Sequence, residues 1–471
     1  MKDALQRVAG YYGGAVTVAD GAVAVSDARK LCSEATDRVV WDAVFGDAAA
    51  KEAARWLLWE LGQAAGCRPA SINALYLARG RGECSGFTVP AINLRVLAYD
   101  SARAVFRAAL AGRAGALLLE IARSEIAYTE QRPGEYVSVM IGAALREGYD
   151  LPLFIQGDHC QVNAKKYQAD AEGEVGEVKK LIGEEVGAGF YNIDIDTSTL
   201  VDLSHATLDA QPRLNYERAA EITQFIRGRQ PADVTVSVGA EIGEVGHKNS
   251  TVEELHAFMQ GYRRATAVLG VRDGISKISV QTGTSHGGVV LPDGSIATVK
   301  LDLDALAALS RTAREEYGLA GAVQHGASTL PPDAFGNFPR AEACEIHLAT
   351  NFQNLVFDHP RLPAPLKATM YQWLDANAQA ERKAGDSDEQ FYYKARKKAI
   401  GPFKRQLWSL PPDVRAAIAA DLERTFRSLF IQLKIDGTAD LVRHHIHAPV
   451  QHHAALRPAL ALAEDDPDAG E

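Results

Sequence analysis

The sequence has few cysteines and lacks long apolar runs. Its 471 residues include five cysteines, which are scattered and form no CxxC pair. This pattern excludes a disulfide framework and a cysteine-based structural zinc cluster. No apolar run reaches the roughly 18 residues of a transmembrane helix, and the N-terminal stretch MKDALQRVAGYYGG lacks the apolar core of a signal peptide. We therefore expect a cytoplasmic protein without a membrane partner.

The chain also lacks an excess of positive charge. Its formal net charge is -10, so no broad electrostatic attraction to nucleic acid is expected. With 47% hydrophobic and 23% charged residues, the composition is that of an ordinary globular protein. The residues that bind an anionic substrate can still be locally basic.

Short apolar runs alternate with longer amphipathic runs from Phe87 onward. The eight strand candidates span residues 87–93, 116–122, 152–158, 190–196, 234–242, 277–284, 321–327 and 345–350. Apolar strands that alternate with helices indicate a parallel sheet covered on both faces. Eight such units over about 280 residues match the size of a (β/α)8 barrel. The alternative is a doubly wound open sheet, which normally shows a Gly-rich phosphate turn that the early strands here lack.

Three segments are expected along the chain. Residues 1–86 read as a mostly helical N-terminal extension, residues 87–370 as the barrel, and residues 371–471 as a helical C-terminal extension. The acidic end AEDDPDAGE predicts a disordered tail. The stretch RHHIHAPVQHHA offers five histidines for a metal, but it has no matching acids, which favours a solvated tail.

Acidic and histidine side chains follow five consecutive strand candidates. The carboxyl ends of barrel strands form the active site, so these groups should meet at one mouth. Three histidines and two or three carboxylates in one pocket suit a divalent metal, with zinc first and cobalt, iron or manganese as substitutes. The residues are Asp158 and His159 on the third strand, Asp194 and Asp196 on the fourth, Glu241 on the fifth, His286 on the sixth and His325 on the seventh.

Two of the histidines are followed by small residues. The stretches SHGG (285–288) and HGAST (325–329) offer backbone N–H groups and hydroxyls that can cradle a phosphate. Ordinary turns between a strand and a helix also favour glycine, serine and threonine, so either interpretation remains open.

The ordered set of motifs resembles the class II, metal-dependent fructose-bisphosphate aldolases over roughly residues 87 to 408. The motifs that carry the resemblance are GDHC, IDIDTS, AEIG, SHGG, HGAS and YYKARKKA. The resemblance implies Asp158 as the catalytic proton donor, and His159, His286 and His325 as zinc ligands. It further implies an alternative metal position at Glu241, with an aspartate near the metal at Asp196 or Asp194. Arg396 would meet a substrate phosphate, often across a dimer interface, which implies a homo-oligomer.

The chain departs from the family pattern in its substrate-holding groups. The loop GEVGHKNSTVEE lacks the family's glycine-rich acidic sequence, so the loop base is assigned to Glu244, with Glu253 and Glu254 as alternatives. His347 stands where the family has asparagine, and Ala349 stands in place of aspartate. The residues that we assign to substrate or phosphate binding are Asn93, Gly287, Gly326, Ser328, His347, Thr350 and Arg396.

The resemblance implies a zinc-dependent aldolase that acts on a ketose phosphate through a metal-stabilised enediolate. Fructose 1,6-bisphosphate, cleaved to glycerone phosphate and glyceraldehyde 3-phosphate as in glycolysis, is the first expectation. A monovalent cation near the Gly287 loop is a further family expectation. The alternatives are an aldolase for a tagatose or sulfo-sugar phosphate, a metal-dependent sugar-phosphate epimerase, and a non-catalytic aldolase-like subunit.

Overall fold

The computed structural model describes residues 2–243, 248–283 and 301–453. Its strands, in chain order, are β1 (Val16–Ala19), β2 (Ala22–Val25), β3 (Pro69–Ala70), β4 (Val89–Asn93), β5 (Leu118–Ala122), β6 (Leu153–Gln161), β7 (Asn192–Asp196), β8 (Ser237–Glu241), β9 (Lys277–Val280), β10 (Ala322–Gln324) and β11 (Glu345–Leu348).

Helices lie between the barrel strands, as the alternation of apolar and amphipathic runs predicts. They are α1 (Lys2–Gly10), α2 (Glu34–Phe45), α3 (Ala48–Ala65), α4 (Asn73–Gly80), α5 (Ala98–Gly112), α6 (Arg123–Thr129), α7 (Pro133–Glu147), α8 (Ala164–Ala169), α9 (Ala171–Ala188), α10 (Arg213–Arg229), α11 (Val252–Val268), α12 (Leu303–Glu315), α13 (Asn337–Arg340), α14 (Thr350–Phe357), α15 (Ala364–Asn377), α16 (Asp388–Ala395), α17 (Lys404–Trp408), α18 (Pro412–Gln432) and α19 (Thr438–His445). None of these described helices combines the length and apolar character needed to cross a bilayer.

Strands β4 to β11 form a closed parallel barrel. Each strand pairs with the next along the chain, and β11 returns to pair with β4 through His347 opposite Ala91. At least one helix follows each strand, as the right-handed crossover between parallel strands requires. The structure confirms the predicted (β/α)8 barrel with helical extensions, and each of the eight predicted strands is present.

Local sequence explains where the helices begin and end. Helix α3 begins after Asp47, whose side chain accepts a hydrogen bond from the Ala50 N–H, and it ends at Gly66 with a φ of 90°. Helix α11 begins with a capping box between Thr251 and Glu254. Glu254, an alternative for the loop base, is therefore engaged in capping a helix.

The N-terminal extension is helical as predicted, but the prediction misses three short strands. Strands β1 and β2 form an antiparallel hairpin, and β3 pairs in parallel with the start of β6. Asp20 and Gly21 join the hairpin with φ values of 52° and 76°, as a tight two-residue turn requires. Strands of two to four residues are too short to show an alternating pattern, which is why the sequence does not reveal them. Helices α2 and α3 pack against α7 of the barrel.

The C-terminal extension ends in a segment that binds the N-terminal extension. We call residues 446–453 the C-terminal strap. Trp59 of α3 donates from its indole N–H to the Gln451 carbonyl at 2.6 Å, and the His453 ring stacks on the Trp59 ring with centroids 4.0 Å apart. Glu60 accepts from the His453 backbone N–H at 2.9 Å and lies 2.6 Å from His452 Nδ1.

Residues 446–453 therefore do not form the predicted free tail, although the side chains of His447, His452 and His453 are exposed to solvent, as predicted. The contacts that anchor the strap involve backbone groups such as the Gln451 carbonyl, and backbone anchoring leaves no mark in the amino-acid pattern. The predicted disordered acidic tail lies outside the described residues.

Removal of the strap should destabilise the protein. A chain that ends at residue 447 leaves the Glu60 carboxylate, now 2% exposed, without the partners from His452 and His453. We expect a loss of about 2 kcal/mol or more in the free energy of unfolding. We also expect a red shift of tryptophan emission, because Trp59 becomes exposed to solvent. A chain that ends at residue 453 keeps every strap contact and serves as the control. Equal denaturation midpoints for the two truncated chains would contradict a stabilising role.

Candidate metal centre and active site

Strand β6 carries two neighbouring residues, Asp158 and His159, that both face the barrel mouth. Neighbours in a regular strand point to opposite faces of the sheet. Here the register with β7 shifts between Gly157 and Cys160, and His159 has a φ of 42°. A β-bulge of this kind re-aims a side chain and is frequent beside active sites. The bulge brings Asp158 and His159 into the same space, while Cys160 points to the buried side facing α9.

His159, Glu241 and His325 form a candidate metal centre. Glu241 Oε1 lies 3.3 Å from His159 Nδ1 and 3.2 Å from His325 Nε2. One nitrogen or oxygen atom from each of the three residues lies within 4.8 Å of the other two. Ligand atoms around a tetrahedral zinc stand about 3.4 Å apart, because each bond is about 2.1 Å long. The spacing therefore fits a zinc ion with little adjustment.

Asp196 supports the ring of His159. Its Oδ2 is 3.1 Å from His159 Nδ1 and accepts a hydrogen bond from Gln161 at 2.5 Å. Its Oδ1 accepts a bond from the Ser198 hydroxyl at 2.6 Å. Asp196 and Glu241 thus approach the same ring nitrogen of His159, which makes Asp196 a further oxygen donor beside the candidate centre.

The electrostatics of the mouth favour a bound cation. Burial raises the pKa of Glu241 to about 8, and the Asp196 charge adds to this effect. Burial alone would lower the pKa of His159, but the Asp158 and Glu241 charges outweigh it and raise that pKa well above its usual range. The site thus holds a proton where a metal ion would supply the positive charge. Imidazole nitrogen with carboxylate oxygen is a donor set for zinc and for similar divalent ions, so the residues present fit the metal.

The barrel interior next to this centre is polar. Lys277 Nζ lies 2.9 Å from Asp194, 2.5 Å from Glu345 and 2.7 Å from Gln156. Barrel interiors are normally filled by valine, isoleucine and leucine. Burial opposes the charge on Lys277, but the two carboxylates outweigh it and raise its pKa. The ammonium therefore stays charged and neutralises the acids around it.

His347 connects this interior network to Asp158. Its Nε2 lies 2.7 Å from Glu345 Oε1, and its Nδ1 lies 3.0 Å from Glu120 Oε2 and 3.1 Å from Asp158 Oδ1. Its ring centroid is 3.9 Å from that of His325. His347 thus lies between the candidate metal centre and the Lys277 network. Its predicted role in holding substrate stays a prediction.

Sequence reasoning missed the interior charges. Lys277 and Glu345 begin β9 and β11, Gln156 lies within β6, and each of the three is fully buried. Strand periodicity could have revealed these interior residues. Glu345 stands two positions before His347 and therefore lies on the same face of the strand. The same spacing links Asp194 with Asp196. Charged residues inside an apolar strand, two positions from a site residue, indicate a polar barrel interior.

The remaining substrate-binding predictions occupy ordered positions near the strand ends. Ser328 Oγ accepts a hydrogen bond from the Ala349 N–H at 2.8 Å, which ties the β10 loop to the end of β11. Gly326 has a φ of 69° in that loop, and Thr350 is the first residue of α14. Asn93 ends β4 and donates to the Glu125 carboxylate.

Three predicted site residues lie outside the described residues: Glu244, His286 and Gly287. The loop base, the third zinc ligand and the glycine of the SHGG loop therefore stay predictions.

Arg396 is bound within its own chain. It is 3% exposed, and its guanidinium donates to Asp358 at 2.7 Å and to Asn354 at 2.5 Å. It also lies over the Tyr393 ring, 4.8 Å from the centroid. A phosphate would have to compete with Asp358 for this guanidinium, so its phosphate-binding role stays a prediction.

Glu185 is a buried acid behind the bulge. It lies beneath Gly157, where a Cβ atom would come within 2.6 Å of Glu185 Oε2, and it accepts from the Cys160 thiol at 3.3 Å. Its other oxygen, Oε1, has no hydrogen-bond partner among the described residues. Burial raises the pKa of Glu185 to about 8. The absence of a side chain at position 157 therefore makes room for an acid that folding keeps protonated at neutral pH.

Replacing Glu185 with glutamine should stabilise the protein, and more so as the pH rises. The folded carboxyl has a pKa of about 8 against 4.5 for an ordinary glutamate. The folded state therefore binds an extra proton between these values and loses stability as the pH rises. Glu185→Gln removes this loss, which amounts to about 3 kcal/mol at pH 7. Denaturant titrations of both proteins at pH 5 and pH 8 measure it. A gain that did not increase with pH would contradict the assignment.

The closed (β/α)8 barrel gathers acids and imidazoles at the carboxyl ends of its strands, which is where enzymes with this fold have their active sites. The chain belongs to the class II fructose-bisphosphate aldolase family, whose model matches residues 81–403. No curated protein matches it.

Solved structures share the fold at low sequence identity. A fructuronate-tagaturonate epimerase from Cohnella laeviribosi is 14% identical with a TM-score of 0.52, over 81% of this chain and 86% of that one. A probable tagatose 6 phosphate kinase from Sinorhizobium meliloti 1021 is 15% identical with a TM-score of 0.50, over 76% and 93%. A putative fructose-1,6-biphosphate aldolase from Coccidioides immitis is 18% identical with a TM-score of 0.45, over 78% and 96%.

Proposed function

We propose that this chain is a zinc-dependent aldolase that cleaves, and in reverse forms, a carbon–carbon bond of a ketose phosphate. The observation that supports this best is the meeting of His159, Glu241 and His325 beside Asp158 at the barrel mouth. Fructose 1,6-bisphosphate is the first substrate to test, with tagatose and sulfo-sugar phosphates as the alternatives. A cytoplasmic homo-oligomer is the form that we propose for it.

A divalent metal held by His159, Glu241 and His325, with His286 as the predicted further ligand, would polarise the ketose carbonyl and stabilise negative charge on its oxygen. The proton chemistry falls to Asp158, whose Oδ1 is 3.8 Å from His159 Nε2. In cleavage its carboxylate takes the proton from the hydroxyl that becomes the aldehyde. In condensation it returns that proton to the aldehyde oxygen.

His347 and Lys277 position this acid. His347 Nδ1 approaches Asp158 Oδ1 at 3.1 Å, and its Nε2 approaches Glu345, which is bonded to Lys277. The chain Lys277–Glu345–His347–Asp158 therefore alternates in charge from the barrel interior to its mouth. Opposite charges placed next to one another in this way favour one orientation of the Asp158 carboxylate.

The test is an assay for triose phosphate with zinc-loaded, chelator-stripped and zinc-restored protein. We expect cleavage in the first and third samples and none in the second. Asp158→Asn should lower kcat by about 10² to 10⁴ while the zinc content stays at the wild-type level. Full zinc occupancy without triose release from any ketose phosphate would overturn the aldolase proposal.

A metal-dependent epimerase is the second candidate, because a solved structure that shares this fold is described as a fructuronate-tagaturonate epimerase. Such an enzyme would use the same metal and an acid such as Asp158 but would keep the carbon chain intact. Incubation of the zinc-loaded protein in D₂O separates the two functions. An epimerase incorporates deuterium into an intact ketose of altered configuration, whereas an aldolase releases a triose phosphate.

A further inference from the structure

The N-terminal extension places helix α4 against the amino end of the barrel, opposite the mouth. Arg79 of this helix is 1% exposed. Its guanidinium donates at 2.5 to 3.2 Å to four backbone carbonyls in the segments that lead into β4, β10 and β11, those of Phe87, Ala320, Glu342 and Ala343. A guanidinium is a rigid fork of donors, so these four bonds fix α4 relative to three barrel strands.

Two further contacts hold the two ends of α4. Ile72, which precedes the helix, donates from its backbone N–H at 2.9 Å to the side chain of Asn192, the first residue of β7. At the other end, Gly80 packs directly on the backbone before β10, where a Cβ atom would lie 2.2 Å from the Gly318 carbonyl oxygen. The position of α4 against the barrel is therefore set at both ends and along its length.

Tyr76 extends from α4 into the barrel interior. Its side chain is 1% exposed, and its hydroxyl donates to Glu345 Oε2. Burial raises the pKa of this hydroxyl well above its usual range, and the Glu345 charge adds to the effect. The hydroxyl therefore keeps its proton and holds the Glu345 carboxylate from the amino end of the barrel.

The other oxygen of the same carboxylate contacts the groups that lead to the mouth. Glu345 Oε1 lies 2.7 Å from His347 Nε2, and it accepts from Lys277 at 2.5 Å. His347 Nδ1 in turn lies 3.1 Å from Asp158 Oδ1. A carboxylate held at Oε2 cannot rotate about its Cγ–Cδ bond without losing that contact. The Tyr76 hydroxyl, together with Lys277, thus determines where Oε1 meets His347.

We propose that Tyr76 is a positioning residue for the reaction: its hydroxyl orients Glu345 and, through His347, the proton-handling carboxylate of Asp158. This inference rests on the proposed function, because it takes Asp158 as the acid, and it applies to cleavage and to epimerisation alike. Tyr76 precedes residues 81–403, which the family model matches. The contribution therefore comes from the N-terminal extension and not from the part of the chain that the family shares.

Tyr76→Phe in zinc-saturated protein is the first test, since it removes the hydroxyl and keeps the ring that fills the space. We expect kcat for triose phosphate release to fall by about 10- to 100-fold, because a small misplacement of a reacting group has a cost of this size. KM should stay within about twofold of the wild-type value, because Tyr76 lies at the opposite end of the barrel from the substrate. Elemental analysis should find the zinc content of the wild type. A wild-type kcat would overturn the role.

Tyr12→Phe is the matched control, because it removes a buried hydroxyl from the same extension. Tyr12 is 2% exposed, and its hydroxyl lies 2.9 Å from Thr36 Oγ1. Its loss should lower the midpoint of urea unfolding, as loss of the Tyr76 hydroxyl does, but leave kcat and KM at wild-type values. An equal fall of kcat in the two variants would indicate a general loosening of the extension and contradict a specific role for Tyr76.

A double-mutant cycle tests the route through His347. In His347→Gln protein the link from Glu345 to Asp158 is already broken, so the addition of Tyr76→Phe should lower kcat by less than about twofold further. If Tyr76→Phe lowers kcat by the same factor with and without His347, the residue acts by another route and the proposal is wrong.

The two proposals fail separately, because the His347 ring reports the link without any substrate. In protein labelled with ¹⁵N in its histidine rings, the resonances that His347→Gln removes should move in Tyr76→Phe and stay in place in Tyr12→Phe. If they move but the wild type releases no triose phosphate, the aldolase proposal falls and the placement of His347 by Tyr76 stands. If they stay and Tyr76→Phe releases triose phosphate at the wild-type rate, the aldolase proposal stands and the positioning role falls.

Discussion

His325→Ala should empty the metal centre and abolish catalysis. His325 Nε2 is 3.2 Å from Glu241 Oε1, so the substitution removes one of the three donors of the candidate centre. The metal affinity should fall by more than about 100-fold, since loss of an outer partner alone costs 10- to 100-fold. The kcat should fall by about 10³-fold or more, because several kcal/mol of charge stabilisation disappear.

Elemental analysis after gel filtration measures the metal independently of activity. His205→Ala is the matched control, because His205 is an exposed histidine with its side chain near Asp202 at 3.6 Å. It should leave the zinc content and activity at wild-type values. Stoichiometric zinc in His325→Ala protein would show that the centre lies elsewhere.

Lys277→Met should cost more stability than any other single substitution considered above. Lys277 is fully buried and bonds both Asp194 and Glu345. Methionine fills a similar volume but leaves two carboxylates without their cation in the barrel interior. Removal of one partner from a buried ion pair costs about 3–5 kcal/mol. The midpoint of urea unfolding, monitored by circular dichroism, measures the loss.

A compensating substitution distinguishes lost charge balance from lost packing. In Lys277→Met/Glu345→Gln protein one of the two carboxylates becomes neutral, so we expect about half of the lost stability to return. A double variant no more stable than Lys277→Met would indicate a packing defect. A wild-type midpoint for Lys277→Met would contradict the electrostatic account altogether.

Much of the fold could be predicted because the barrel depends on repeated local patterns. Apolar strands separated by amphipathic helices specify the eight units, and the turn chemistry at Asp47 and Gly66 specifies helix ends. The β1–β2 hairpin was missed because four-residue strands contain no usable period. The strap was missed because its partners on α3 lie nearly 400 positions away in the sequence, where no local pattern links them.

The sequence predicts which residues stand at the strand ends of the candidate site, but not the β-bulge that turns two neighbouring side chains to the same face. Asp158, His159, Glu241 and His325 follow from strand position alone, since parallel strands deliver their ends to one face. That Asp158 and His159 both face the mouth depends on a φ of 42° at His159, which no residue type in the segment signals.

The strap also sets an order of events during protein synthesis. Trp59 is covered by Gln451, 392 positions later in the chain. At about 5–20 residues per second, the ribosome needs about 20–80 s to travel that distance. During this interval Trp59 and the acid beside it stay exposed on the nascent chain, where chaperones can bind them. The final cover arrives only after Gln451 has been made, so a ribosome that stops before that residue releases a chain with this patch still open.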